Sequence, residues 1–143
     1  MPSKLGILLV VPDFQLQTEK ARAAIPREIS LPDAVYNIQR SALTVAALLR
    51  NEFSFLRESL RDRVHQPYRA QLIPGLREIL SLNDANVPGM IALCLSGAGP
   101  SVLVIAEDNF EDLYLRIAQI FRQQGIDSRR FDLQVDNQGR TIS

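Results

Sequence analysis

The chain has 143 residues, 46% of them apolar and 22% charged, which suits one domain with a core of its own. Sixteen Lys and Arg balance sixteen Asp and Glu, so no overall field draws the chain to nucleic acid or to an anionic membrane surface. One cysteine and one histidine exclude an internal disulfide framework or a metal cluster of those residues, and no apolar run approaches the length of a membrane span.

In chain order, "KLGILLVVPDF" is predicted as a buried strand that Pro12 ends, because proline has no ladder donor. The run is too short and too soon broken for a signal peptide, and a cytoplasmic location is expected. "QTEKARAAIP" is predicted as a short helix with Thr18 as its N-cap and Pro26 as its stop. "SLPDAVYNIQRSALTVAALLRN" is the longest predicted helix, with Val35, Ile38, Ala42, Val45 and Leu49 on one face. "EFSFLRESLRD" continues as a shorter helix with Phe53, Leu56 and Leu60 inward. "HQPYRAQLIPG" breaks the periodicity and reads as an ordered loop, and a further helix is expected from about Pro74.

Strands dominate the second half. "MIALCLS" and "SVLVIA" are apolar runs joined by a small-residue turn, and Cys94 within the first reads as a small buried hydrophobe. "NFEDLYLRIAQIFRQQG" is a helix with Asn109 as its cap and a core stripe of Phe110, Leu113, Ile117 and Phe121. In "RRFDLQVD" the alternation puts Phe131, Leu133 and Val135 inward and Arg130, Asp132 and Gln134 outward. "NQGR" reads as a turn. The expected fold is a single α+β domain over residues 1–143: a four-stranded, mainly antiparallel sheet with helices packed on one face.

Three places carry candidate chemistry. The turn "SGAGPS" is neither a dinucleotide fingerprint nor a P-loop, because a strand rather than a helix follows it. It offers main-chain N–H groups and close backbone approach at Gly97 and Gly99, or it is simply a hairpin. In "HQPYRA" the stiff Pro67–Tyr68 pair fixes the direction of Arg69, as bidentate carboxylate binding requires; covering a helix end is the plainer role. His65 lacks a nucleophile context and reads as a positioning group. Thr18 and Arg22, four apart on one helical face, could share a small polar ligand, or serve as a cap and a solvated cation. Asn37 reads as a satisfied polar group at the edge of the core. Paired carboxylates at catalytic or metal-binding spacing are not evident.

Together, and in this order, "VPDFQLQTEKARAAIP", "DAVYNIQRSALTVAALL", "VHQPYRAQLIPG" and "LSGAGPS" resemble the C-terminal domain of the homoserine kinase family, within the GHMP small-molecule kinases. The resemblance runs from Val11 to about Val135 and implies a ferredoxin-like sheet. It implies that Thr18, Arg22 and Arg69 hold L-homoserine, with the two arginines on its carboxylate. It further implies that Gly97 touches substrate, with its neighbours Ser96, Ala98 and Gly99 against the cleft; Asn37 and His65 are expected to line the same cleft. The family uses ATP and Mg2+ to phosphorylate the homoserine hydroxyl on the route to threonine. Its nucleotide loop and magnesium-binding acid belong to an N-terminal domain and have no counterpart in this sequence. These residues alone are therefore expected to be inactive and to bind homoserine weakly, with the N-terminal kinase domain as partner. The alternative is a non-catalytic binding module that self-associates, as a homodimer, through an exposed apolar face. A GHMP kinase acting on another alcohol fits less well, since Arg22 and Arg69 would lack an anion.

Overall fold

The computed structural model describes residues 5–135; the expected "NQGR" turn lies outside them. The elements are β1 (Gly6–Pro12), α1 (Thr18–Ala23), α2 (Leu31–Arg50), a 3-10 turn (Phe53–Phe55), α3 (Leu56–Ser59), α4 (Gln66–Arg69), α5 (Leu76–Ser81) and a second 3-10 turn (Leu82–Asp84). They continue with β2 (Met90–Leu95), β3 (Val102–Ala106), α6 (Phe110–Gln123) and β4 (Ser128–Leu133). The strands form one antiparallel sheet in the order β2-β3-β1-β4. The α+β class and the four-stranded antiparallel sheet are therefore as expected.

Strand alternation divides the apolar residues between the two sheet faces. Leu8 and Val10 of β1 pair with Val104 and Val102 of β3, which in turn pair with Leu93 and Leu95 of β2. These side chains meet Leu76 and Ile79 of α5 and Leu113, Ile117 and Phe121 of α6 in the main core. The α6 stripe thus packs as its spacing predicts, although Asn109 holds the cap position without a side-chain bond to the helix. The opposite face is not bare. At its β2–β3 end Ala92 and Ile105 pack with Ala47 of α2 and Leu56 of α3, flanked by Phe53 and Leu60. The expectation of helices on one face thus describes the main layer and omits this smaller one.

β2 is an edge strand, and its outer edge is closed by side chains. Arg57 donates to the carbonyls of Met90 and Ile91 at 2.9 and 3.1 Å. The buried Asn83 amide exchanges two bonds with Leu93, at 2.7 and 2.9 Å. The buried Gln66 accepts from Leu95 N at 2.8 Å. Edge strands present a row of unpaired N–H and C=O groups, and these three side chains answer that row in place of a fifth strand.

Several local expectations are corrected. α1 is capped by Gln17 without a side-chain bond, and Thr18 is its first residue. Ser30 caps α2, accepting from Asp33 N at 3.2 Å. The loop expected around Pro67 contains a helical turn, α4, because proline suits the first positions of a helix. α5 starts at Leu76, two residues past Pro74, with Gly75 at its cap, so Pro74 precedes the helix and does not sit in its first turn. The β4 facing is inverted. Its register pairs Phe131 with Leu9 and Leu133 with Ile7, on the face away from the main core, and both remain exposed. Arg130 instead turns toward α6, where it pairs with Glu111 and lies 5.9 Å from the centre of the Tyr114 ring. An edge strand beside a charged helix rim allows that choice. The predicted α2 stripe is also unburied: Val35, Ile38, Ala42, Val45 and Leu49 are all exposed, as is Leu31, and Ala47 is the helix's buried residue.

Candidate functional site

The site is built around the segment 62–69. Asp62 accepts from the main-chain N–H groups of Val64, His65 and Gln66 at 3.0, 2.8 and 2.7 Å. It thereby satisfies the free donors at the start of α4. Asn37 of α2 braces the same carboxylate at 2.6 Å and accepts from Arg63 N at 3.0 Å. Asn37 is thus the satisfied polar group expected from its sequence position. Burial pushes the Asp62 carboxyl up, but these hydrogen bonds outweigh it and hold the group below the usual aspartate value.

α4 projects Arg69 onto the small-residue turn. Its Nη1 donates to the Gly97 carbonyl at 2.7 Å and lies 3.3 Å from His65 Nδ1. Its Nε is buried with no hydrogen-bond partner among the described residues. Arg69 as a whole is half-buried, so the rest of its guanidinium still offers donors to an anion placed against it. Burial, with a smaller contribution from Arg69 and against the pull of Asp62, keeps the His65 imidazole below its ordinary value. A neutral ring is the form that can accept from the Arg69 donor.

The turn is shaped by its two glycines. Ser96 N donates to Ser101 O at 2.8 Å and Gly99 N to Ser96 O at 3.0 Å. Gly99 has φ +84°, and a Cβ there would sit 2.8 Å from Ile73 Cδ1, so this glycine is locked against the core. Gly97, at φ +58°, has nothing within 4 Å of the corresponding position. The open side of the turn is at Gly97, where a ligand can approach the backbone. The half-buried Ala98 lies between them.

Behind the turn lies a cavity of about 230 Å3 between α2 and the 59–66 segment. Asn37, Arg40, Asp62, His65 and Cys94 are among its lining residues. Larger cavities lie elsewhere, but this one shares His65 with the Arg69–Gly97 contact. Cys94 is half-buried rather than fully enclosed, and burial raises its thiol to about 11, so it stays protonated and unreactive.

The structure therefore joins Arg69, His65, Asn37 and the glycine turn. It does not join Thr18 and Arg22 to them by any hydrogen bond or ion pair among the described residues; both are exposed on α1. The segment leading into α1 does lie close by. Phe14, Leu16 and Gln17 share a cavity with Leu72, three residues beyond Arg69. Asp62 and Gln66 escaped the sequence reading although they set the whole arrangement. An aspartate four residues before a Gln-Pro helix start is the signal that marks them.

Residues 44–123 match the family described as GHMP kinases C terminal. The chain belongs to that family. Over nearly all of its length it is similar to homoserine kinases. It is 41% identical to that of Candida albicans over 97% of this chain and 40% of the relative, and 43% identical to that of Solibacter usitatus over 97% and 45%. The solved structure of homoserine kinase from Cytophaga hutchinsonii superposes with a TM-score of 0.84 at 28% identity, covering 94% of this chain and 42% of that one. The chain thus spans less than half the length of the relatives it matches, and corresponds to their C-terminal part.

Proposed function

We propose that this chain forms the substrate-side wall of a homoserine kinase, which transfers phosphate from ATP to the hydroxyl of L-homoserine in threonine biosynthesis. In this reading Arg69 takes the amino-acid carboxylate, with its direction set by the Gly97 carbonyl and by His65. Arg22 and Thr18, on the neighbouring α1, complete the grip once substrate draws the two segments together. Gly97 leaves the space that lets the ligand reach the turn. The observation that carries the reading is the half-buried Arg69 guanidinium, seated on the turn at the Gly97 carbonyl. The resemblance to homoserine kinases across 97% of the chain supports the choice of substrate.

ATP and Mg2+ do not fit onto these residues. The glycine turn runs into β3 rather than into a helix whose N-terminus could hold phosphate. No group of three or more His, Cys, Asp or Glu placed to hold a metal occurs among the described residues. The nucleotide and its metal are assigned to the part of the relatives that this chain does not match. The chain alone then lacks turnover and binds homoserine weakly, since one wall of the pocket is missing. No helix of the described residues is long and apolar enough to cross a membrane, in keeping with work in the cytoplasm.

The test is reassembly with the N-terminal half of a related homoserine kinase. In the reassembled enzyme Arg69→Ala raises KM for homoserine by about 10- to 100-fold, the loss of one charge-assisted contact, while KM for ATP stays within about twofold. Arg69→Lys recovers only part of the loss, because an ammonium cannot make the forked contact. An unchanged homoserine KM in Arg69→Ala would remove the carboxylate assignment.

A further inference from the structure

The sheet face opposite the main core is covered at one end only. Its cross-strand register lays the side chains in two rows. One row runs Ala92, Ile105, Ile7, Leu133, and the other Cys94, Leu103, Leu9, Phe131. Exposure climbs along the first, from 0% at Ala92 and 7% at Ile105, through the half-buried Ile7, to 43% at Leu133. In the second, three half-buried side chains lead to Phe131 at 46%. The gradient follows the cover. Ala47 of α2 and Leu56 of α3 pack with Ala92 and Ile105, and this smaller core takes in Leu103 but neither Ile7 nor Leu9.

An apolar sheet face is stable when another layer lies over it, and the β1–β4 end of this one has none among the described residues. The relatives indicate what that layer is. The match takes 40% and 45% of the length of two homoserine kinases and falls on their C-terminal part. Their unmatched part therefore leads into the counterpart of β1, the strand that carries Ile7 and Leu9. The row ending at Phe131 is also the one nearer the small-residue turn. Its members Cys94 and Leu103 adjoin Leu95 and Val102, which flank that turn. A layer seated on this row reaches the turn on which Arg69 rests.

We propose that the bare β1–β4 end of this face seats the N-terminal half of a homoserine kinase, through an apolar layer laid over Ile7, Leu9, Phe131 and Leu133. The proposal rests on the homoserine kinase reading for the identity of that half, and not on the role given to Arg69. The exposed Arg129, opposite Val11 in the register, ends the apolar patch on the turn side. The partner layer is expected to become polar or acidic there.

Thiol labelling tests this. Phe131→Cys, Leu133→Cys and Asp132→Cys are made singly, in this chain alone and in the chain joined behind the N-terminal half of a related homoserine kinase. Turnover by the joined protein confirms that both halves are folded, and the unaltered chain gives the background from Cys94. N-ethylmaleimide is expected to react with the Phe131→Cys and Leu133→Cys thiols at least about tenfold more slowly in the joined protein, while Asp132→Cys, on the other face of β4, keeps its rate within about twofold. Arg69→Ala placed in the same proteins leaves this pattern unchanged, so a failed carboxylate assignment is told apart from a failed docking surface. Equal rates at 131 and 133 in the two forms would overturn the proposal. So would equal protection of all three positions, the mark of a blocked edge and not of a covered face. Protection that grows with the concentration of this chain alone, and is no greater in the joined protein, would likewise overturn it and give the face to a second copy. Where a cysteine variant misfolds, Phe131→Asp serves: it is expected to lower the urea midpoint of the joined protein and to leave that of this chain alone unchanged, and an unchanged midpoint in both would count against the proposal.

Discussion

α6 and α2 both carry apolar side chains at three- and four-residue spacing, in opposite surroundings. The α6 stripe of Leu113, Ile117 and Phe121 is enclosed by the sheet and α5, with each of these side chains no more than 2% exposed. The α2 stripe faces away from the body of the chain, and the helix is held by its other side, through the polar Asn37, Arg40 and Thr44 and the buried Ala47. Amphipathic spacing states that a face will be covered without stating by what. One helix is a structural member of this fold, while the other is fastened at its polar rim and offers its apolar face outward.

The sharpest way to break that contrast is truncation on both helices. Phe121→Ala is expected to cost about 3–5 kcal/mol in urea unfolding, the range for emptying an enclosed aromatic site. At the other extreme, Leu49→Ala in dilute, monomeric protein should change stability by less than about 0.5 kcal/mol. A comparable loss at both positions would mean that the α2 stripe is covered within one copy. Between these extremes, Asn83→Leu strips Leu93 of both its partners on the closed side of the sheet and should cost about 2–3 kcal/mol. Gly99→Ala forces a Cβ toward Ile73 at positive φ and should cost about 1–3 kcal/mol.

Acid sharpens the comparison further. Asp62 sits below the usual aspartate value in the folded chain, so its contribution is present above that usual value and is lost as pH falls through the lowered one. The bond from Asn37 to Asp62 goes with it. Hydrogen exchange should then show α2 amides losing protection in acid before those of α6, whose attachment is apolar. Asp62→Asn should weaken the α2 attachment at neutral pH and flatten this dependence. Equal loss in both helices would leave Asp62 without the anchoring role.

Much of this was legible in the residues. The strand runs, the α6 stripe and the turn at Gly97 follow from apolar periodicity and from glycine chemistry, and they were placed correctly. What escaped depends on neighbours that local pattern does not contain. The facing of β4 was inverted because Phe131 and Leu133 alternate as a core face would, yet the register to β1 and the pull of Glu111 on Arg130 decide the matter. The α4 turn was hidden by two prolines, and its anchor, Asp62, gains its role only when Asn37 arrives from a helix 25 residues away. Arg69 was legible as a fixed cation. A shared role for Thr18 and Arg22 rests on resemblance alone, and both lie exposed on α1.

The side chains along β2 also set a direction for growth. With Arg57, Asn83 and Gln66 occupying its hydrogen-bonding groups, no further strand can add at that margin without evicting them. Among the described residues, the sheet is thus sealed by side chains at its β2 flank, the opposite end of the strand order from β4.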